Sequence, residues 1–312
     1  MELQDRFRGS VLGLATGDAV GTTLEFEQPG TFKPITDMVG GGPFNLNRGE
    51  WTDDTSMMMC LGTSLVDCRG FDPMDQMQRY VRWYRTGYLS SNGRCFDIGT
   101  TVRQALHQFE RSNKPYCGST ELNTAGNGSL MRLAPVPLAF INDAVAAIEN
   151  AALSSRTTHG AAVAVDACRY MAALIVGAIK GATKESLLAD HFSPYPGCWE
   201  KNPLCPEIAA IARGSYKENQ PPKIKGTGYA AASLEAALWA FYNDKASFKE
   251  GCLKAANLGN DADTTAAIYG QLGGAFYGVE GIPEKWRKQL AKLADLEKLA
   301  DQLLALSRPQ LK

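Results

Sequence analysis

The sequence lacks an excess of charge of either sign, and its cysteines are not closely paired. Its formal net charge is −1 over 312 residues, which gives no electrostatic reason for wholesale binding to nucleic acid or to an anionic membrane. Its eight cysteines form no CxxC pair and no Cys/His cluster at zinc-ligand spacing. We therefore expect no membrane partner, no general nucleic-acid partner and no zinc site.

An apolar leader and an uninterrupted apolar run are absent as well. The N-terminal segment MELQDRFRGS is polar where a signal peptide would be apolar, which favours a cytoplasmic protein with reduced thiols. The longest apolar stretch, residues 160–182, is interrupted by Asp166, Arg169 and Lys180, and these charges would be costly in lipid. This stretch is predicted to be a buried core helix.

Alternating strand patterns are nearly absent, whereas helical spacing of apolar residues runs through most of the chain. The clearest examples are residues 99–112, 142–156, 228–243 and 248–258. In each of them apolar residues recur at intervals of three and four, which is typical of amphipathic helices. Loops rich in Gly, Pro and Asn separate these segments, and no repeat or long linker divides the chain. The prediction is an all-α protein, a compact single-domain helical bundle over residues 1–312.

A C-terminal amphipathic helix is predicted over residues 283–307. Pro283 suits the first position of a helix, and a row of leucines forms an apolar stripe along the segment. A partner-binding helix would carry the same stripe. Packing against the body of the domain is the simpler explanation, and we expect a monomer.

Two acidic clusters each stand directly before a predicted helix. They are Thr52, Asp53 and Asp54 in WTDDTSMMMC, and Asp261, Asp263 and Thr264 in GNDADTTAAIYG. Either cluster alone can be explained as a helix cap. Together they supply carboxylate and hydroxyl oxygens, which Mg²⁺ and Mn²⁺ prefer as ligands, so the two clusters could hold two cations if the fold brings them together. Without metal, that many carboxylates would repel one another, and some would take up protons.

A glycine-rich segment near the N-terminus, GLATGDAVGTTLEFE, is a third candidate element. Gly13, Gly17 and Gly21 give a smooth face for helix packing. The same segment contains two acids, Asp18 directly after Gly17 and Glu25 seven residues further on. The segment is not a Walker A loop or a dinucleotide-binding motif, because it lacks the GKS/T ending and a preceding strand.

A candidate anion site lies in the segment TAGNGSLMRLAP. Its residues are Gly126, Asn127, Gly128 and Ser129, and they are predicted to lead into a helix. Exposed backbone N–H groups at such a junction would suit the phosphates of a nucleotide-like ligand. A turn that only starts a helix would have the same sequence.

Two single residues complete the set of candidates. His159, in SSRTTHG, stands at the start of the apolar helix, where a structural role is more common than a catalytic one. Asp97, in CFDIGTT, precedes another helix, where it could be a cap.

Seven blocks of the sequence, taken in order, resemble the ADP-ribosylglycohydrolase family, which includes the dinitrogenase reductase activating glycohydrolases. The blocks are GLATGDAVGTTLEF, WTDDTSM, CFDIGTTVRQAL, AGNGSLMRLAPVPL, SSRTTHG, GTGYAAASLEAALWAF and GNDADTTAAIYGQLGGAFYG. The resemblance runs from about residue 6 to about residue 280. Agreement of this many blocks in one order is more specific than any single motif.

The resemblance implies an all-α fold with two Mg²⁺ or Mn²⁺ ions that hydrolyses the bond between ADP-ribose and a protein side chain. The partners would then be an ADP-ribosylated protein and ADP-ribose. The two acidic clusters match the metal shell, and Glu25 matches an acid beside the metals and the scissile ribose. Residues 126–129 would contact the diphosphate or its ribose, and His159 would lie near the ADP-ribose. Asp97 resembles the acid that faces the leaving side chain in arginine-directed members.

Linkage and mechanism stay open at this point. Arginine is favoured through the block around Asp97, but Glu25 also fits members that act on serine or other O-linked ADP-ribose, and a modified nucleic acid is a further candidate substrate. The carboxylate that takes a proton from water is Glu25, Asp53 or Asp54. The family also resembles a lens crystallin, so a non-catalytic ADP-ribose-binding protein is one alternative, and a two-metal phosphoesterase is another.

Overall fold

Helices form the architecture of the computed structural model, which describes residues 1–308. This part of the chain contains fifteen α-helices and three short 3₁₀ segments. Its β pairing is limited to three isolated bridges. The prediction of an all-α fold is confirmed. The α-helices are α1 (Leu3–Gly21), α2 (Asp53–Asp67), α3 (Pro73–Thr86), α4 (Thr100–Ser112), α5 (Pro135–Ala139), α6 (Ala144–Arg156), α7 (Ala162–Ile179), α8 (Lys184–Leu187), α9 (Pro206–Arg213), α10 (Ser215–Glu218), α11 (Ala230–Tyr242), α12 (Phe248–Ala256), α13 (Ala262–Tyr277), α14 (Glu284–Gln289) and α15 (Leu293–Ser307).

Helix α7 lies in the core. Apart from Ala162 and Arg169, all of its residues are buried. It is the one helix within residues 1–308 that is long and apolar enough to cross a membrane. Its Asp166 carboxylate accepts a hydrogen bond from Arg169 at 2.7 Å and one from the N–H of Cys205 at 2.7 Å. These bonds pair the charges of Asp166 and Arg169, which interrupt the apolar run. The prediction of a buried core helix is confirmed.

Helices α1 and α13 run antiparallel and approach each other at backbone distance. The α1 residues that face α13 are glycines at intervals of four, namely Gly9, Gly13, Gly17 and Gly21. A Cβ on Gly17 would lie 2.0 Å from the carbonyl oxygen of Ala266, and one on Gly9 would lie 2.2 Å from that of Gly274. Since the neighbouring atoms belong to backbone, a side chain could not be accommodated by rotamer changes. The smooth packing face predicted from the glycine spacing is confirmed.

The C-terminal segment forms two helices rather than the single helix predicted over residues 283–307. Between α14 and α15, Lys292 takes a left-handed φ of 52°. The loop before α2 holds this break: the N–H of Ala291 donates to the carbonyl of Gly49 at 2.9 Å, and the carbonyl of Ala291 accepts from Trp51 Nε1 at 3.1 Å. These bonds to a distant loop replace bonds within a helix, and leucine spacing carries no information about them.

Helix α15 packs on α1 and α2. The Arg8 guanidinium on α1 donates to both carboxylate oxygens of Asp301, at 2.9 and 2.7 Å. The Leu299 side chain fills the space above Gly62 of α2, where a Cβ would lie 2.8 Å from Leu299 Cδ2. The leucine stripe therefore faces the body of the domain.

Gly17→Ala is expected to lower the free energy of unfolding by about 1–3 kcal/mol, the usual cost of overpacking. The measurement is urea unfolding followed by circular dichroism. Gly99→Ala is the matched control, because a Cβ there meets no heavy atom within 4 Å. Equal losses in the two variants would contradict the account of the α1–α13 contact.

Candidate active site

The N-terminus of α2 is capped by an acid from another helix. Asp18, near the end of α1, is fully buried. Its Oδ1 accepts from the N–H and the hydroxyl of Thr52 at 2.8 and 2.9 Å, and its Oδ2 accepts from the N–H and the hydroxyl of Thr55 at 3.0 and 2.6 Å. These four bonds satisfy donors that the first turn of a helix leaves unpaired. They also hold residues 52–54 in a fixed orientation at the N-terminus of α2.

The N-terminus of α13 is capped in the same way by Glu25, which follows α1. Its Oε2 accepts from the N–H of Ala262 at 2.8 Å and from the N–H of Asp263 at 3.3 Å. The positive end of the helix dipole favours a carboxylate at this position. One segment, from the end of α1 to Glu25, therefore caps both helices that start with an acidic cluster.

The two acidic clusters lie together, although about two hundred residues separate them in the chain. The Thr52 hydroxyl oxygen is 3.3 Å from both Asp54 Oδ2 and Asp263 Oδ2, and the Thr264 hydroxyl is 3.5 Å from Asp54 Oδ2. Ligand oxygens of Glu25, Asp261 and Asp263 all lie within 4.8 Å of one another.

The contacts around Thr52 are ones that a cation would relieve. A hydroxyl has one hydrogen, and the nearest acceptor of the Thr52 hydroxyl is Asp18, at 2.9 Å. The Thr52 hydroxyl therefore donates no hydrogen bond to the other two carboxylates, although it lies close to both. In addition, Asp54 Oδ1 is buried without a hydrogen-bond partner among residues 1–308. Oxygen atoms with no donor suit a hard divalent cation.

Burial and mutual repulsion raise the pKa values of these acids. Burial, followed by the negative charge of Asp263, raises the pKa of Asp18 and of Asp261 to about 7 and that of Asp97 to about 11. For Asp54 the pKa is raised well above its ordinary value by burial and then by Asp18. Without a cation, the site would hold protons that its carboxylates would not bind in water.

A cleft of about 890 Å³ opens beside the cluster. Glu25, Asp53 and Asp97 line it, as do Asp261, Asp263 and Thr264. Thr52 and Asp54 are not among the lining residues and lie deeper, at 0% and 1% exposure. A ligand in the cleft can therefore contact the acids that line it, whereas Asp54 does not line the cleft.

Asp97 lies in the cleft wall and does not cap the following helix. α4 has no side-chain cap, and its N-cap residue is Gly99. Asp97 has a left-handed φ of 60°, which is uncommon outside glycine and is found preferentially at functional sites. The capping explanation is therefore wrong for this residue.

The segment 126–129 contributes backbone to the cleft, but it is not followed by the predicted helix. A run of turns extends to α5. Gly126, Asn127 and Gly128 line the cleft. Among residues 1–308, the N–H groups of Gly128 and Ser129 have no backbone acceptor. Gly128 lines the cleft, so its N–H group is available to an anion there.

Two side chains of this segment have roles that the sequence did not indicate. The Asn127 amide donates to Asp261 Oδ2 at 2.8 Å and to the Ser233 hydroxyl at 2.8 Å, so it orients an acid of the cluster. The Ser129 hydroxyl is buried and lies 2.8 Å from the hydroxyl of Ser155. Ser129 is not among the residues that line the cleft, and its contact with a ligand stays a prediction.

His159 lines the cleft as a neutral imidazole with a defined tautomer. The fully buried Arg132 donates to the Thr158 hydroxyl at 2.7 Å, and this hydroxyl lies 2.8 Å from His159 Nδ1. Within residues 1–308 the Thr158 hydroxyl has no other acceptor, so it donates to Nδ1 and the ring proton is on Nε2. Burial and then Arg132 lower the pKa of His159 to about 3. Nε2 faces Gly126, where a Cβ would lie 3.3 Å away.

Asp18 and Arg132 are the functional residues that sequence reasoning missed. Asp18 belongs to the quoted glycine-rich segment, but its partners are residues of another helix. Arg132 belongs to the GNGSLMR block, and its effect on His159 passes through Thr158. In both cases the signal is a single polar residue in an apolar helix or turn, and its partner is visible only in three dimensions.

The sequence is similar to a known family and to proteins of known name. The sequence profile of the ADP-ribosylglycohydrolase family matches residues 1–311. A protein of Pseudomonas putida (strain GB-1) named ADP-ribosylarginine hydrolase Tri1 is 44% identical over 299 residues, which cover 96% of this chain and 78% of that protein. The ADP-ribosyl-[dinitrogen reductase] glycohydrolase of Rhodospirillum rubrum is 28% identical over 325 residues, with 98% of this chain and 97% of that protein covered.

A solved structure agrees with this similarity. It is titled "ADP-ribosylglycohydrolase-related protein complex" and superposes with a TM-score of 0.86 at 43% sequence identity. The alignment covers 98% of this chain and 99% of that one. The similarity therefore extends over the whole helical domain, including the segments that build the cleft.

The tautomer of His159 can be tested by ¹⁵N NMR of the ring nitrogens between pH 4 and 8. We expect a neutral ring with the proton on Nε2 throughout this range, since its pKa is lowered to about 3. In the urea-unfolded chain the same ring should titrate near pH 6.5. Because the folded pKa is the lower one, the stability contributed by neutral His159 should be lost as pH falls below about 6.5.

Thr158→Val is the matched variant for this measurement. It removes the hydroxyl that bonds to Nδ1 and keeps the size of the side chain, so we expect a mixture of tautomers. A ring that is protonated at pH 6 in the unmodified protein would contradict the assignment.

Proposed function

Because the chain belongs to the ADP-ribosylglycohydrolase family, we propose that it is a metal-dependent hydrolase that removes ADP-ribose from arginine side chains of modified proteins. The meeting of two acidic helix N-termini beside one cleft is the observation that carries this proposal. Names of relatives support the linkage, since proteins 44% and 40% identical to this chain are called ADP-ribosylarginine hydrolases.

The residues of the cluster fit two Mg²⁺ or Mn²⁺ ions. The proposed ligands are Thr52, Asp53, Asp54, Asp261, Asp263 and Thr264, all of them oxygen donors. Two observations support this assignment: Asp54 Oδ1 has no hydrogen-bond partner among residues 1–308, and the Thr52 hydroxyl oxygen lies close to oxygens of Asp54 and Asp263. A hard cation would satisfy these oxygen atoms. When bound, the ions would supply positive charge for the ribose hydroxyls and would lower the pKa of a bound water.

We assign to Glu25 the role of general base, which accepts a proton from the attacking water. Asp54 does not line the cleft, whereas Glu25 and Asp53 do. Of these two, Glu25 is held by backbone N–H donors through Oε2, which leaves Oε1 for a proton. The water oxygen would bond to C1 of the ribose while the C1–N bond breaks, and the electron pair of that bond would leave on the guanidine nitrogen.

Asp97 is placed to orient the leaving group. A guanidinium presents parallel N–H donors that match the two oxygens of a carboxylate. Once its bond to ribose breaks, the arginine departs as a neutral guanidine and takes up a proton. Ionised Asp97 would favour that guanidinium, and the cation would in turn lower the raised pKa of Asp97.

A panel of linkages tests the proposed function. Substrates with ADP-ribose on arginine, serine, aspartate or glutamate, or a nucleic-acid end would be incubated with Mg²⁺ and with chelator. We expect intact ADP-ribose from the arginine substrate, and only with Mg²⁺. Release of phosphate or nucleotide would indicate a phosphoesterase, and binding of ADP-ribose without turnover of any substrate would indicate a non-catalytic protein.

Asp54→Ala and Asp261→Ala are expected to lose Mn²⁺ binding and turnover together. We expect activity to fall by more than about 100-fold, since loss of even an outer partner of a metal ligand costs 10- to 100-fold. Helical content by circular dichroism should persist, because each change removes a repelled charge. The matched control is Asp166→Asn, a change in a buried acid of α7 that pairs with Arg169, and its Mn²⁺ affinity should equal that of the unmodified protein. Full activity of either cluster variant at limiting Mg²⁺ would contradict the metal assignment.

Asp97→Asn should separate the leaving-group role from metal binding. The variant keeps the shape of the side chain and loses its charge, so kcat/KM on the arginine substrate should fall roughly 10- to 100-fold, as expected for a hydrogen bond to a charged group. Mn²⁺ affinity, measured by calorimetry, should change little. A parallel loss of Mn²⁺ affinity would place Asp97 among the metal ligands instead.

A further inference from the structure

Three phenylalanines form a continuous row at the mouth of the cleft. The ring centroids of Phe26 and Phe44 are 6.2 Å apart, and those of Phe44 and Phe96 are 5.4 Å apart. The two ends of this aromatic row are the chain neighbours of Glu25 and Asp97. The row therefore connects, across the mouth, the two acids assigned above to the water and to the leaving group.

The row is exposed at one end, at Phe26, whereas Phe44 and Phe96 are half-buried. Phe26 is 64% exposed, although other phenylalanines of the domain such as Phe7 are fully buried. Both Phe26 and Phe44 line the cleft. Exposed aromatic surface beside a cavity is typical of a binding site.

The backbone holds Phe26 in this position against its own preference. Phe26 has a left-handed φ of 64°, which costs about 1–2 kcal/mol for a residue with a Cβ. Two hydrogen bonds maintain it: Phe26 N–H donates to the carbonyl of Asn260 at 2.7 Å, and Asn260 N–H donates to the carbonyl of Glu27 at 2.7 Å. Asn260 is itself left-handed, with φ 56°. Backbone strain held in this way beside a cleft is characteristic of functional positions.

A guanidinium fits this combination of groups better than a neutral side chain does. It is a planar cation whose face stacks on aromatic rings and whose edge pairs with a carboxylate. The cleft offers both kinds of group, since Asp97, Phe26 and Phe44 line the same cavity. A serine linked through oxygen has neither charge nor a planar surface, so the rings would give it no comparable attraction.

From these observations we propose that the aromatic row is a specificity-determining element, in which Phe44, with the Phe26 ring inclined to it at 73°, binds the face of the substrate guanidinium while Asp97 binds its edge. The proposal rests on the proposed function and adds to it the groups that select arginine over oxygen-linked acceptors. Phe96 packs against Phe44, with ring centroids 5.4 Å apart, and directly precedes Asp97 in the chain.

The test compares Phe44→Leu and Phe44→Tyr on one peptide that carries ADP-ribose on either arginine or serine. Leucine keeps the apolar bulk and removes the aromatic face. For Phe44→Leu we expect kcat/KM on the arginine substrate to fall roughly 3- to 30-fold, mainly through KM, which corresponds to the usual strength of a cation–π contact. Phe44→Tyr should retain most of the activity. Tyr242→Leu, which changes an aromatic residue that is 46% exposed and lies outside the cleft lining, is the control and should have no effect.

A second measurement distinguishes failure of this proposal from failure of the proposed function. Binding of agmatine, a small guanidinium compound, would be followed by saturation-transfer NMR in the presence of ADP-ribose. If the unmodified protein cleaves no arginine substrate but binds agmatine, and Phe44→Leu abolishes that binding, the aromatic row binds guanidinium and the proposed reaction is wrong. If Phe44→Leu cleaves the arginine substrate with unchanged KM and binds agmatine as the unmodified protein does, the proposal is overturned.

Discussion

The close contact between α1 and α13 is the constraint on which the site depends. Glycines at intervals of four let the two backbones touch, so that a Cβ on Gly17 would lie 2.0 Å from a carbonyl oxygen. Because the helices are antiparallel, the end of α1 meets the beginning of α13. Asp18 lies in the last turn of α1 and Glu25 follows this helix. Their side chains can then reach the N-termini of α2 and α13, respectively. Wider helix spacing would separate the caps from the helices that they hold.

Helix capping and the proposed cation binding are compatible at this site. A carboxylate at a helix N-terminus gains from unpaired N–H donors and from the helix dipole, and Asp18 uses both of its oxygens in this way. Thr52 and Asp54 begin α2 and at the same time approach Asp263 of the other helix. Asp18 and Glu25 supply caps from outside α2 and α13, and Asp263 Oδ1 accepts in addition from the N–H of Thr264 in its own helix at 2.6 Å. The remaining carboxylate oxygens of the two clusters repel one another, and cations would offset this repulsion.

The local parts of this arrangement could be predicted from the sequence, and the long-range parts could not. Glycine spacing in α1 and the two acid clusters are periodic or contiguous patterns that act over a few residues. The role of Asp18 depends on α2, and the break near Lys292 depends on hydrogen bonds with the loop at Trp51. The sequence predicts that residues 126–129 contact a ligand through backbone N–H groups, but it does not indicate that the Ser129 hydroxyl lies beside that of Ser155.

In the proposed function, the converging N-termini of α2 and α13 form a two-cation centre at the base of an ADP-ribose cleft. Anomalous diffraction from a crystal grown with Mn²⁺ and ADP-ribose tests it most directly. We expect two manganese peaks among the oxygens of Asp54, Asp261 and Asp263, with the ADP-ribose diphosphate beside the N–H groups of Gly128 and Ser129. A crystal with ADP-ribose in the cleft and no manganese at these carboxylates would contradict the account.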